Sequence, residues 1–135
     1  MTRGYSNTAM DHFNRPRNVG RLASAHARGT EGVSGAGNYM VIELFVEAGR
    51  IAQIRFQTYG CPGAICCGSM ITELARGKTP EEADAVTPEH VLDALGGLPL
   101  GKHSCARLAV GALRAAIQDG RRSGTIVLLA PRPPA

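Results

Sequence analysis

The chain predicts an α+β domain: a small antiparallel three-stranded sheet with helices packed on one face. Met40, Ile42, Leu44 and Val46 recur at every second position, and so do Ala52, Ile54 and Phe56 after an Ala48-Gly49-Arg50 turn. That is a hairpin. Downstream, apolar residues recur at helical spacing between Thr-Pro starts and Gly stops. Strands thus gather early in the chain and helices late.

The elements follow in order. A short helix is expected at Asn7–Asn14, stopped where Pro16 disfavours helical backbone at Arg15. Residues 15–38 are rich in Gly and Ala and hold at most one short strand, at 29–34. Strands follow at 39–47 and 51–59. A helix at 63–76 carries the stripe Ala64, Cys67, Ile71 and Leu74, and Gly77 closes it. Thr79-Pro80-Glu81-Glu82 and Thr87-Pro88-Glu89-His90 each start a helix with Pro at the first helical position; the second stops at Gly96-Gly97. Ser104 is the expected cap of a last helix over 105–118, with Leu108, Ala109, Ala112, Leu113 and Ala116 inward. Residues 125–129 look strand-like, and Pro131, Pro133 and Pro134 follow. The organisation expected is one domain over 1–120 and a C-terminal tail over 121–135.

Composition narrows the function. The chain has 135 residues, 44% hydrophobic, and no Trp, so its core must rest on aliphatic residues and Ala. The formal charge of +4 comes from scattered basic residues without interleaved aromatics, which gives no footprint for nucleic acid. No signal peptide and no membrane-length apolar run is seen, so the expected location is cytoplasmic. Structural disulfides are uncommon there, and four cysteines read better as metal or sulfur chemistry.

Three of the four cysteines, Cys61, Cys66 and Cys67, lie within seven residues where strand gives way to helix. Unpaired N–H groups and the helix dipole at such a junction favour thiolate over thiol. Pro62 places Cys61 at the cap, and Cys105 begins the last helix. Two thiolates from distant segments suit Zn, an iron–sulfur cluster or a persulfide relay. Cys67 falls on its helix stripe and reads as core. Cys66 points off that stripe and is the more open to a ligand role. His103 stands close to Cys105 and could ligate. Asn38 reads as an ordinary turn residue unless its loop folds over the cysteines.

On these residues the chain resembles the U-type iron–sulfur cluster scaffold family, which has a scaffold-like fold of the SufE/NifU type. Tyr5-Ser6, Asp11-His12-Phe13 and Pro16-Arg17-Asn18-Val19-Gly20 resemble its opening motif, and Tyr59-Gly60-Cys61 with Ala64-Ile65 its second cysteine loop. Glu73-Leu74, Gly77-Lys78-Thr79 and Glu81-Glu82-Ala83 resemble its next helices, and Cys105 with Leu108-Ala109 and Ala112-Leu113 its third cysteine helix. The resemblance implies a non-enzymatic scaffold that binds iron and sulfur as [2Fe–2S]. It implies sulfur received as persulfide from a cysteine desulfurase, and a cluster passed on to recipient apo-proteins. The family's first motif, Ala-Cys-Gly-Asp, aligns with Gly35-Ala36-Gly37-Asn38, so Ala36 replaces its cysteine and Asn38 its Asp. Ser104 stands where the family has His before its third cysteine, and His103 lies one place earlier. The expected metal set is therefore Cys61 and Cys105, with Cys66, Cys67 or His103 as added ligands, or a homodimer pooling its thiols. Cys61 is the expected persulfide acceptor. Leu98-Pro99-Leu100-Gly101-Lys102 departs at two positions from the family's chaperone-binding motif, which weakens the expectation of chaperone docking. A zinc-binding or sulfur-transfer module, and an interaction paralogue without a cluster, are the alternatives.

Overall fold

In a computed structural model, residues 4–33, 35 and 37–126 are described. The order is α1 (Asn7–Asn14), β1 (Ala27–Gly32), β2 (Tyr39–Glu47), β3 (Arg50–Tyr59), α2 (Pro62–Ala75), α3 (Pro80–Asp84), α4 (Pro88–Leu95), a 3₁₀ turn (Leu100–Lys102) and α5 (His103–Ser123). The sheet is antiparallel, in the order β1-β2-β3. The expected α+β architecture with a three-stranded antiparallel sheet is what the chain forms.

The β2–β3 hairpin turns through Ala48 and Gly49, with φ of 54° and 75°. Both residues are left-handed, as a tight two-residue hairpin turn requires. A bulge between Phe45 and Val46 pairs Val46 with Ile51 and Phe45 with Gln53, leaving Ala52 as the extra residue. It shifts the inward set of β3 from the expected Ala52 to Ile51, which is buried with Ile54 and Phe56. Met40, Ile42 and Leu44 of β2 join them under α2 and α5, whose Ile71, Ala109, Leu113 and Ile117 are fully buried.

Close approach depends on glycine at two contacts. A Cβ on Gly29 of β1 would lie 2.0 Å from the Ala116 nitrogen, so β1 and α5 touch backbone to backbone. A Cβ on Gly68 of α2 would lie 2.4 Å from the Phe56 ring. Residues 18–20 pair with the edge of β3, where Asn18 and Gly20 bond the Phe56 backbone and Val19 forms a parallel bridge; the chain then crosses the sheet's other face to His26, which stacks on Phe45 at 4.4 Å. Under this strap Glu43 is buried, accepting from the Leu22 amide at 2.8 Å and pairing with Arg21 and Arg28.

Two boundaries differ from expectation. The turn from Pro99 feeds straight into α5, so Lys102 is the N-cap and the expected cap Ser104 is an exposed residue inside the first turn. Helix α5 also passes its expected end at 118, ending at Ser123 where Gly124 takes φ 77°. Ile126 then folds back: its amide bonds the Gly120 carbonyl at 2.9 Å and its side chain is buried. Of the strand-like stretch at 125–129, Thr125 and Ile126 form a bend; the rest, with the prolines beyond, lies outside the described residues.

Candidate thiol site

Cys61 is the N-cap of α2, in extended backbone (φ −81°, ψ 171°), with Pro62 at the first helical position. The β3 strand delivers it there through Tyr59 and Gly60. Cys105 lies in the first turn of α5. These two helix starts meet, and the Sγ atoms of Cys61 and Cys105 stand 3.5 Å apart although 44 residues separate them. Two sulfurs held at about 2.3 Å by one tetrahedral ion lie about 3.8 Å from each other, so the pair is spaced for a shared metal with little movement.

The loop before β2 folds over this pair. Asn38 donates from Nδ2 toward Cys61 Sγ at 3.7 Å and toward Cys105 Sγ at 3.6 Å, and its Oδ1 accepts from the Cys61 amide at 3.3 Å. Glycine makes room for it: a Cβ on Gly60 would sit 2.3 Å from Asn38 Oδ1, and one on Gly63 would sit 3.1 Å from Cys105 Sγ. Cys61 opens on a groove of about 760 Å³ lined also by Gly35, Gly37, Asn38, Tyr39 and Tyr59, while Cys105 is buried behind it. The two tyrosines face each other across β2 and β3 and stack at 5.9 Å.

Charge is shared unequally between the two thiols. For Cys61, burial opposes ionisation. The Ala64 amide, the Cys105 thiol, the Asn38 amide and the Gly63 amide outweigh it and hold the pKa down to about 7. Neither the Ala64 nor the Gly63 amide makes a capping hydrogen bond to the sulfur, and the Ala64 N–H is bonded to the Cys61 carbonyl at 3.0 Å, so their pull is that of helix-start N–H dipoles near a negative charge. Cys105 is pushed up to about 12 by burial first, then by donating its proton to Cys61 and by the Cys61 charge. At neutral pH Cys61 is about half ionised, and its thiolate form is hydrogen-bonded by the Cys105 thiol.

The other sequence candidates stand elsewhere. Cys66 is fully buried and donates to the Ala9 carbonyl at 3.2 Å, and burial pushes its thiol up to about 11. Cys67 is fully buried as well, and burial raises its pKa further. His103 is half-buried, with Nε2 donating to the Leu98 carbonyl at 3.0 Å. Among the described residues no three His, Cys, Asp or Glu side chains converge as a metal set, so Cys66, Cys67 and His103 do not join the pair here. Ala36 lies outside the described residues. Asn38 is the residue that sequence reasoning undervalued: it is the amide shared by both sulfurs.

Val33, Tyr59 and Leu100 are three of the four exposed large apolar side chains among the described residues. They sit on the three segments that lead into this site: the loop before β2, the end of β3 and the 3₁₀ turn before α5. No described helix is long and apolar enough to cross a membrane.

Known proteins resemble this chain over most of its length. The family described as NifU-like N terminal domain matches residues 4–124. The iron–sulfur cluster assembly scaffold protein IscU 1 of Archaeoglobus fulgidus is 49% identical over 123 residues, covering 90% of this chain and 80% of that protein. The IscU scaffold protein of Azotobacter vinelandii is 35% identical over 127 residues, covering 91% and 98%. The crystal structure of the N-terminal part of a nitrogen-fixing NifU-like protein from Brucella abortus superposes with a TM-score of 0.66 at 16% identity, covering 87% of this chain and 94% of that one. That likeness supports the fold.

Proposed function

Because the chain belongs to the NifU-like N-terminal domain family, we propose that it is a scaffold for iron–sulfur cluster assembly, with iron and sulfur brought to the Cys61–Cys105 pair. The observation that carries this reading is the 3.5 Å approach of two thiols from two helix starts, one of which, Cys61, titrates near neutrality and lines an open groove. Cys61 is the acceptor of sulfur, as persulfide from a cysteine desulfurase. Its thiolate attacks the donor's outer sulfur, and the exposed Val33, Tyr59 and Leu100 offer that donor an apolar landing surface. The cargo is a [2Fe–2S] cluster destined for recipient apo-proteins, and the chain works as a carrier and not as an enzyme. The reducing cytoplasm is where free thiols such as these persist.

The pair supplies two of the roughly four ligands that a cluster needs. A homodimer that faces two such pairs toward each other supplies four. The test is anaerobic reconstitution with ferrous iron and sulfide, followed by visible absorption, Fe, sulfide and Zn analysis, and size measurement. The expected result is a charge-transfer spectrum on a dimer, lost in Cys61→Ala and in Cys105→Ala. Zinc without colour would replace this reading with a zinc module. Absence of both metal and Cys61 persulfide would leave an interaction paralogue.

A further inference from the structure

We propose that Cys105 is a resolving thiol: it attacks a persulfide carried on Cys61, expels the outer sulfur as hydrogen sulfide and leaves a Cys61–Cys105 disulfide. This step rests on the reading of Cys61 as persulfide acceptor. It addresses a mismatch in that reading. Sulfur arrives as sulfane sulfur, whereas a cluster contains sulfide, two electrons more reduced.

Geometry selects Cys105 for the task. Its Sγ stands 3.5 Å from Cys61 Sγ, the atom that becomes the inner sulfur of the persulfide, which is a near-attack separation. Closing from 3.5 Å to a bonded length requires a movement of about 1.5 Å, within reach of small side-chain rotations. Gly63 presents no side chain on the flank of Cys105 Sγ. The Asn38 amide reaches both sulfurs and can follow charge from one to the other during exchange. The remaining thiols are turned elsewhere: Cys66 is fully buried against the Ala9 carbonyl, and Cys67 is fully buried in the core.

The step balances without an outside oxidant. Cys61–S–SH and Cys105–SH give Cys61–S–S–Cys105 and H₂S. The bond between the two cysteine sulfurs forms as the persulfide S–S bond breaks, and the Cys105 proton leaves with the sulfide. The sulfane sulfur is reduced by two electrons, and the two cysteine sulfurs are oxidised to the disulfide. Each reduced chain therefore delivers one sulfide, and a dithiol reductant must reopen the bridge by thiol–disulfide exchange, itself becoming a disulfide, before Cys61 and Cys105 can hold iron.

The experiment uses the full, reduced, iron-free chain under anaerobic conditions with one equivalent of cysteine persulfide. Released sulfide is measured against a donor-only control, and products are read by intact mass and peptide mapping. The wild-type chain is expected to release about one sulfide, lose about 2 Da and yield a Cys61–Cys105 cross-linked peptide. Cys105→Ser is expected to retain a gain of about 32 Da on Cys61 and to release sulfide at least roughly tenfold more slowly, with an unchanged thermal melt. A wild-type chain that keeps its persulfide, or whose bridge joins two chains, overturns the step. Failure of sulfur uptake at Cys61 in both the wild-type chain and a Cys105→Ser chain with the wild-type melt overturns the acceptor reading and the step with it. The wild-type arm stands whether or not the variant folds.

Discussion

Asn38 holds Cys61 at two points: its Oδ1 accepts from the Cys61 amide at 3.3 Å, and its Nδ2 donates toward the Cys61 sulfur at 3.7 Å. One side chain thus fixes the backbone at the helix cap and favours negative charge on the thiol beside it. Asn38→Asp replaces the donor by a carboxylate and sets a like charge against the thiolate, so the Cys61 pKa must rise. In the wild-type chain, the rate of Cys61 alkylation should climb with pH and reach half its maximum near pH 7. In Asn38→Asp that midpoint should move up by about one unit, and in Asn38→Ala by less. Iodoacetamide labelling across a pH series, read by mass spectrometry, checks both. An unmoved midpoint would show that Asn38 does not control the charge.

Cys66 and Cys67 should be dispensable for loading. Both are fully buried with raised thiol pKa values, and Cys66 bonds a carbonyl of α1. Cys66→Ala and Cys67→Ala should each lower stability by about 1 kcal/mol in urea unfolding. Iron and sulfide content after reconstitution should match wild type. A loss of iron in either variant would bring that thiol back into the ligand set.

Acid should weaken the packing of α1 on α2. His12 Nδ1 lies 2.7 Å from Ser69 Oγ in a buried contact, and burial followed by the nearby Arg17 charge holds its pKa below the ordinary value. A folded-state pKa below the unfolded one means that the unfolded chain binds the extra proton first. Stability should therefore be full above about pH 6.5 and fall as pH drops through the folded pKa. Urea titrations at a series of pH values should show this slope, and His12→Gln should flatten it. An equal slope in the variant would place the acid sensitivity elsewhere.

Gly29→Ala should be among the costliest single-methyl additions in the chain. The new Cβ would meet the Ala116 nitrogen at 2.0 Å and the Ala112 carbonyl at 2.6 Å, both backbone atoms that no rotamer can move. Separating β1 from α5 should cost about 3 kcal/mol, measured by denaturant unfolding. Gly49→Ala makes the control, because nothing lies near its Cβ. Its cost should come only from the positive φ, about 1 kcal/mol.

The elements were legible where a local rule is strong. Alternation marked β2 and β3, and the Thr-Pro starts marked α3 and α4, both of which have full capping boxes. Ser104 misled because a good cap residue five places after a proline says nothing of a 3₁₀ turn that has already started the helix. Ala52 misled because a bulge changes phase without leaving a mark in composition. The end of α5 was missed because Gly120, which looks like a stop, sits within the helix so that Ile126 can pack on it. The site divides in the same way. Cys61 at a cap is local and was readable. Its approach to Cys105 is a matter of how α2 and α5 cross, and no spacing encodes that. Asn38 could be weighed only once its loop was seen to lie over the sulfurs.

The convergence of α2 and α5 at their N-terminal ends has a last implication. Each helix start presents about half a positive charge from its backbone. Together they set roughly one unit of positive charge beside the thiols, built from peptide groups that no substitution can remove. Anionic cargo is then attracted by the architecture itself. That attraction for thiolate and sulfide does not depend on which side chains line the groove.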